Sequence, residues 1–124
     1  MNIINMTPHQ VTLVGAKGKK VVLESEGVVR VREETREIGT IEVEGEEITL
    51  IRKELSDIDD SDLKKVKEIL QRGDAVLVSL LTAKALKKHL SEEEQKRVLI
   101  IGRTLRDESG RIIGADALSP ISEV

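Results

Sequence analysis

The sequence lacks aromatic residues and cysteine: among its 124 residues there is no Phe, Trp, Tyr or Cys. Exposed aromatic rings are the usual platform for single-stranded nucleic-acid bases, so that mode of binding is excluded. The absence of cysteine excludes disulfides, thiolate nucleophiles and cysteine-ligated zinc. A folded core must therefore consist of Val, Ile, Leu, Met and Ala. His9 and His89 supply the only imidazoles.

The sequence also lacks a net positive charge, since the formal net charge is −3 and the pI is near 5.5. Affinity for a phosphate backbone depends on a basic surface, so we do not expect broad nucleic-acid binding. No apolar run approaches the ~18 residues that span a bilayer, and the N-terminus has no basic segment before an apolar one. We expect a cytoplasmic protein that does not bind membranes.

The polar composition indicates growth at high temperature. Only two Asn and three Gln accompany abundant Glu, Lys and Arg, a bias that is typical of hyperthermophile proteins. The length suits a single domain over residues 1–124.

The first half of the chain has the pattern of β-strands. Apolar and polar residues alternate over 9–15 and 28–33, and a turn at 17–19 separates the first run from Val21 to Leu23. In 28–33 the alternation places Val29 and Val31 on one face and Arg30 and Arg32 on the other.

Residues 40–44 and 47–52 alternate around Gly45, which predicts a hairpin that carries Ile41, Val43, Ile48 and Leu50. The surrounding segment 33–47 contains seven Glu and one Arg, a net charge of −6. Such a run is usually a solvated face. It could alternatively repel anions from one side of the molecule.

The second half has the signals of helices and buried strands. A helix is predicted between the capping residues 59–61 and Gly73, and a second one from Ser79 to about Leu90. Ser91 and Glu94 fit a capping box. The apolar runs 75–78 and 98–101 predict buried strands, and 104–114 predicts a closing hairpin. The expected fold is α/β (α+β): a mixed β-sheet with an N-terminal β-meander half and two to three helices in the C-terminal half.

Three local features are candidate functional sites, and each has a structural alternative. Thr7-Pro8-His9 holds an imidazole rigidly before a strand, although a histidine there is more often an ordinary surface residue. Ser79, with Thr82, lies where a buried strand enters a helix, so free N–H groups and the helix dipole could bind an anion. Serine is equally a common N-cap that needs no ligand.

The third feature is basic. Residues 96–114 hold five Lys or Arg against Asp107 and Glu108, a local charge of +3. Arg103, Arg106 and Arg111 could clamp a carboxylate or a phosphate. Cross-strand Arg/Asp pairing that shapes the hairpin explains them as well.

The segments INMTPHQVTL, GDAVLVSLLTAKAL and RTLRDESGRIIGADAL resemble the three blocks of a family of small, largely uncharacterised bacterial and phage-encoded proteins. That family has an N-terminal T-P-H strand, a central V-S strand–helix junction and a C-terminal R-D-x-x-G-R-I-I-G hairpin. The resemblance covers both ends and the centre, and aligns residues 33–72 only loosely. It implies no activity. The residues that it places in recurring motifs are Thr7, Pro8, His9, Ser79, Arg106, Asp107, Gly110 and Arg111.

Our leading hypothesis from the sequence is a protein that binds an anionic, nucleotide-like small molecule, or a metal-independent phosphoester or phosphodiester hydrolase. His9 would act as general acid or base. The ligand would contact Thr7, Ser79, Thr82, Arg103, Arg106 and Arg111. No cofactor and no metal are expected, because the aspartates of 57–62 suit helix capping and lack the glycine of a calcium loop.

The alternative is a non-enzymatic interaction or assembly protein of mobile-element origin that dimerises through its edge strands. A homo-oligomer is expected under either hypothesis.

Overall fold

The computed structural model describes residues 1–31, 34–54 and 57–124 with their side chains. It confirms the predicted α+β class. A short 3₁₀ turn, Ile121–Glu123, ends the chain. The other elements, in chain order, are β1 (Ile3–Asn5), β2 (Val11–Val14), β3 (Lys20–Leu23), β4 (Val31–Val43), β5 (Glu46–Ile58), α1 (Asp60–Gln71), β6 (Ala75–Leu77), α2 (Leu80–Lys87), α3 (Glu92–Gln95), β7 (Val98–Arg106) and β8 (Ile112–Pro120).

Six strands form the main sheet in the order β1-β6-β7-β8-β2-β3. The strands β1, β6 and β7 are parallel, β8 runs antiparallel to β7 and parallel to β2, and β3 pairs antiparallel with β2. The sheet curls until its two ends meet at one parallel bridge between Asn5 and Ser25. Gly114 permits the close approach of β8 to β2, because a Cβ there would stand 2.9 Å from the Thr12 carbonyl oxygen.

The hydrophobic core consists of Val, Ile, Leu, Ala and Met, as predicted, and the polar residues Asn5, Thr82 and Gln95 are buried as well. Strand β6 lies between β1 and β7 and is buried along its whole length, as its continuous apolar run predicts. Helices α1 and α2 lie before and after β6 and supply Val66, Leu70 and Leu86, all essentially inaccessible to solvent.

The starts of α2 and α3 and the end of α1 follow the predicted signals, whereas Asp59, the N-cap of α1, makes no side-chain capping hydrogen bond and α2 ends at Lys87, before the predicted Leu90. Ser79 caps α2 by accepting a hydrogen bond from the Thr82 N–H, and Ser91 and Glu94 form a complete capping box on α3. Gly73, at a φ of +93°, follows the end of α1. No helix in the described part of the chain is both long and apolar enough to cross a membrane.

Strands β4 and β5 form a separate two-stranded sheet, called the arm below. The predicted hairpin is present, but the separate strand predicted at 28–33 is wrong, because β4 runs without interruption from Val31 to Val43. The side chain of Arg32 lies outside the described residues. Glu44 and Gly45 both have positive φ and make the two-residue turn. At the ~3.3 Å rise of a strand residue, the arm is about 43 Å long.

The base of the arm is attached to α2. The Thr82 hydroxyl donates to the Val29 carbonyl just before β4, and Ile58 at the end of β5 is buried in the core. On the surface, Asp57 accepts a hydrogen bond from His89 at 2.8 Å and pairs with Lys88 at 3.4 Å. The bond with His89, helped by the Ile58 N–H, lowers the pKa of Asp57 to about 2.

Because the folded pKa of Asp57 is depressed, its contribution to stability is present above its ordinary pKa of 3.8 and is lost as the pH falls toward 2. We expect Asp57→Asn to lower the urea midpoint of unfolding at pH 5, and the difference from the natural chain to shrink progressively between pH 4 and pH 2. The matched control is Glu108→Gln, an exposed turn residue. A midpoint difference for Asp57→Asn that stays constant over this range would contradict the assignment.

Candidate functional site

Asn5 is the most connected polar residue of the N-terminal motif, and it is completely buried. Its Nδ2 donates to the His9 carbonyl at 2.8 Å and to the Leu23 carbonyl at 3.0 Å. Its Oδ1 accepts from the backbone N–H and the hydroxyl of Thr7. One carboxamide thus joins the end of β1, the Thr-Pro-His turn and the end of β3.

This arrangement gives the Thr7-Pro8-His9 motif a structural role. The Thr7 hydroxyl lies between Asn5 Oδ1 and the His9 carbonyl, and Ser25 donates to the Thr7 carbonyl. His9 takes part through its backbone, whereas its side chain is exposed. Within the described residues no hydrogen bond holds the His9 ring. Its predicted role as a general acid or base stays a prediction.

A hollow of about 240 Å³ lies where β1 and β6 end and α2 begins; we call it the Ser79 hollow. Parallel strands often place ligand sites at this edge of a sheet. Three of the predicted ligand-binding residues, Thr7, Ser79 and Thr82, line it together with Arg30. The rest of its lining is largely apolar and consists of Met6, Pro8, Val28, Val29, Val31 and Leu81.

The hydroxyls of the Ser79 hollow are already bonded. Ser79 Oγ donates to Thr82 Oγ1 at 3.1 Å, and Thr82 Oγ1 donates to the Val29 carbonyl at 2.9 Å. This chain attaches the entry of the arm to α2. Since the Ser79 hydroxyl faces a threonine and not a base, the geometry does not activate it as a nucleophile.

The three predicted arginines lie on the β7–β8 hairpin and do not line the Ser79 hollow. Arg103 Nε lies 2.7 Å from Asp116 across the hairpin, Arg106 donates to the Gly110 carbonyl, and Arg111 pairs with Asp107 at 3.5 Å. The hydrogen bond from Arg103 lowers the pKa of Asp116. The structural alternative of cross-strand pairing is therefore present in the fold.

The side chain of Asp107 accounts for the remaining residues of the C-terminal motif by organising the turn. Its Oδ1 accepts from the N–H and hydroxyl of Ser109 and from the Arg111 N–H, and these bonds lower its pKa. Gly110, at a φ of +86°, completes the turn. The sequence Arg-Asp-x-x-Gly-Arg thus specifies a hairpin turn.

The most unusual surface lies on the arm, where the sequence predicts the hairpin and its apolar residues but not their exposure to solvent. In the register of β4 with β5, Ile41 lies opposite Ile48, Gly39 opposite Leu50 and Val43 opposite Glu46. The apolar residues Ile41, Val43, Ile48 and Leu50 therefore share one face, which also carries Glu46. We call this the apolar arm face. Each of its four apolar side chains is 41–50% exposed. The alternation predicts a covered face, but not what would cover it.

Two further residues also escaped prediction. Asn5 stands between Ile4 and Met6, and a lone amide in an apolar segment is a signal of a buried hydrogen-bond network. Arg30, predicted on a basic strand face, reaches the Ser79 hollow only because the segment 28–31 folds over α2.

No protein-family model, curated protein or solved structure matches this chain. The resemblance to the small bacterial and phage-encoded proteins stays an expectation. Among the side chains that the structure describes, no group of three or more His, Asp or Glu is arranged to hold a metal ion.

The role of Asn5 gives a stability prediction. Asn5→Ala removes the partner of two carbonyls and of the Thr7 N–H, and buried polar groups left without partners are costly. We expect the free energy of unfolding to fall by roughly 2–4 kcal/mol in chemical denaturation. The exposed residue Asn2 provides the control: Asn2→Ala should change little. Equal stabilities of the two variants would refute the network's structural importance.

Proposed function

We propose that this chain is an assembly protein that associates with a second copy of itself through the arm. The observation that carries the proposal is the apolar arm face. Ile41, Val43, Ile48 and Leu50 form a continuous patch on a two-stranded sheet, and a two-stranded sheet alone is marginally stable in water. A contiguous exposed patch of this kind is typical of an interaction surface.

The two faces of the arm differ in a way that supports this function. On the opposite face, Thr40 pairs with Thr49 and Glu42 with Glu47 toward the tip of the arm, whereas Ile51, 47% exposed and opposite Glu37, lies on that face nearer the base. A solvated hairpin needs no such difference between its faces. Such a difference between faces is typical of a strand pair that has one face covered by protein and the other exposed to solvent. Solvent alone therefore does not account for the apolar arm face.

The motif residues also favour an assembly role over chemistry. The Thr-Pro-His turn, the Ser79–Thr82 pair and the Arg-Asp turn each hold two segments together. The longest element in the fold is then the arm, which is attached at its base and uncovered along its apolar face. Association between identical chains is the commonest use of such a surface in oligomers.

We expect the natural chain to form dimers in a concentration-dependent manner in sedimentation velocity, and Ile41→Thr/Ile48→Thr to raise the dimer dissociation constant at least roughly tenfold, because it removes apolar area from the interface. Threonine keeps the β-branched shape that strands favour. The control, Thr40→Ser/Thr49→Ser, changes the cross-strand pair on the other face and should dimerise normally. A natural chain that stays monomeric at all concentrations would exclude the proposal.

A second candidate is the binding of a small anion in the Ser79 hollow. It is favoured by one observation: the hydroxyl residues Thr7, Ser79 and Thr82 line the same hollow as Arg30. The bonded state of the Ser79 hydroxyl favours binding over hydrolysis. In this proposal the cationic side chain that contacts the anion is Arg30. The sequence had suggested Arg103, Arg106 or Arg111 for this role.

The anion site is tested by thermal shift with inorganic phosphate and with adenosine monophosphate. A ligand at 100 times its dissociation constant should stabilise the fold by about 2.7 kcal/mol. Arg30→Gln should abolish the shift, whereas Arg36→Gln on the arm should keep it. An absent shift with the natural chain, or an equal shift with Arg30→Gln, would count against this site.

A further inference from the structure

The two outer strands of the main sheet meet at one point and then part. Asn5 bridges Ser25, and its side chain donates to the Leu23 carbonyl at the end of β3. Among the described strands β3 forms a ladder with β2 alone, so the rest of its outer edge, before Leu23, is not paired with a strand. Between β1 and β3 lies a hollow of about 520 Å³, which we call the seam. Its lining is mainly apolar, with Ile3, Ile4, Leu13, Val21 and Leu23, and it also includes the acidic residue Glu26.

The seam is basic at the start of β3, whereas Glu24 and Glu26 follow the other end of that strand. Lys17, Lys19 and Lys20 lie at or before the start of β3, and residues 10–23 contain no Asp or Glu. Within the described part of the chain none of these lysines forms an ion pair. Lysines on an edge strand discourage pairing with most other strands. An acidic strand is the exception, because its charge attracts them.

The arm is the acidic strand pair that matches this edge. Residues 37–51 contain five Glu and no Lys or Arg. The alternation of side chains along β3 also agrees with this match. Val21 and Leu23 line the seam, so Lys20 and Val22 lie on the other face of β3. On the arm, Ile41 and Ile48 share one face, and Glu42 and Glu47 share the other.

We propose that the arm of one copy adds to the outer edge of β3 in a second copy. The apolar arm face then covers the seam, while Glu42 and Glu47 lie beside Lys20 and the turn lysines. Backbone hydrogen bonds supply the pairing and the charges select the partner. Each copy has one arm and one seam, so reciprocal exchange closes a two-fold pair. This inference rests on the proposed assembly function and specifies the surface that receives the arm.

Two other basic surfaces match the arm less well. On the β7–β8 hairpin, Arg103 and Arg111 are already paired with carboxylates of the same hairpin. On α2, Lys88 pairs with Asp57, and Lys87 donates to the Val124 carbonyl. The lysines at the start of β3 combine unpaired positive charge with a free strand edge and an apolar hollow.

The test is a charge exchange between two variants. The arm-reversed variant is Glu42→Lys/Glu47→Lys, which changes the acidic face of the arm alone. The edge-reversed variant is Lys17→Glu/Lys19→Glu/Lys20→Glu. Each variant alone places like charges at both contacts, and we expect self-association at least roughly 30-fold weaker than in the natural chain. In a mixture, each arm meets an edge of opposite charge, so the heterodimer should recover near-natural affinity in sedimentation velocity.

The control is Lys64→Glu/Lys65→Glu/Lys67→Glu on α1, which changes the net charge as the edge-reversed variant does. It should dimerise alone and should not rescue the arm-reversed variant. If the edge-reversed variant dimerises normally, or the mixture fails to associate, the β3 contact is wrong. In that case the effect of Ile41→Thr/Ile48→Thr decides separately whether the arm is the assembly element.

A second measurement does not depend on charge reversal. The natural chain has no cysteine, so single-cysteine variants crosslink only where they are placed. Glu47→Cys mixed with Lys19→Cys should form a heterodimeric disulfide under mild oxidation, and Glu47→Cys mixed with Gln71→Cys on α1 should not. Equal crosslinking in both mixtures would overturn the assigned contact.

Discussion

The buried carboxamide of Asn5 determines how the sheet ends. It joins the last residue of β1 to the carbonyl of Leu23, and so brings the outer strands of the sheet together at one end only. Away from Asn5 the strands part and leave the seam, with its apolar lining and its lysine-bearing edge. The same amide orders the Thr-Pro-His turn. Asn5, which is not itself a candidate functional residue, thus shapes the seam, the surface that receives the arm in the proposed assembly.

The arm leaves the fold with an apolar surface that the chain itself does not cover. Its base is held by the core and by Asp57, but Ile41, Val43, Ile48 and Leu50 remain half exposed. Apolar surface left in water costs free energy in proportion to its area. A second copy of the chain offers both an apolar hollow and a basic edge of the required kind. In the proposed assembly, the acidic run, which in the sequence looks like an ordinary solvated face, is what selects the partner of the arm.

Local signals in the sequence predicted local structure well. The caps at Ser79 and Ser91, the stop at Gly73 and the turns at Gly45 and Gly110 depend on neighbouring residues, and the structure confirms them. The roles of the three arginines are harder to predict, since Arg103 pairs with Asp116, which lies outside the basic segment 96–114. Alternation in the arm indicated a covered face, but periodicity does not distinguish cover by the same chain from cover by another. Thermophily and a cytoplasmic location stay predictions from composition.

The most direct test of the account is hydrogen–deuterium exchange measured across a range of protein concentrations. Amides of the arm and of the outer edge of β3 should gain protection together as the concentration rises, while amides of the buried strand β6 stay protected throughout. Such paired protection would place both surfaces in one interface. Rapid exchange of the arm at every concentration, or protection of the arm without β3, would contradict the account.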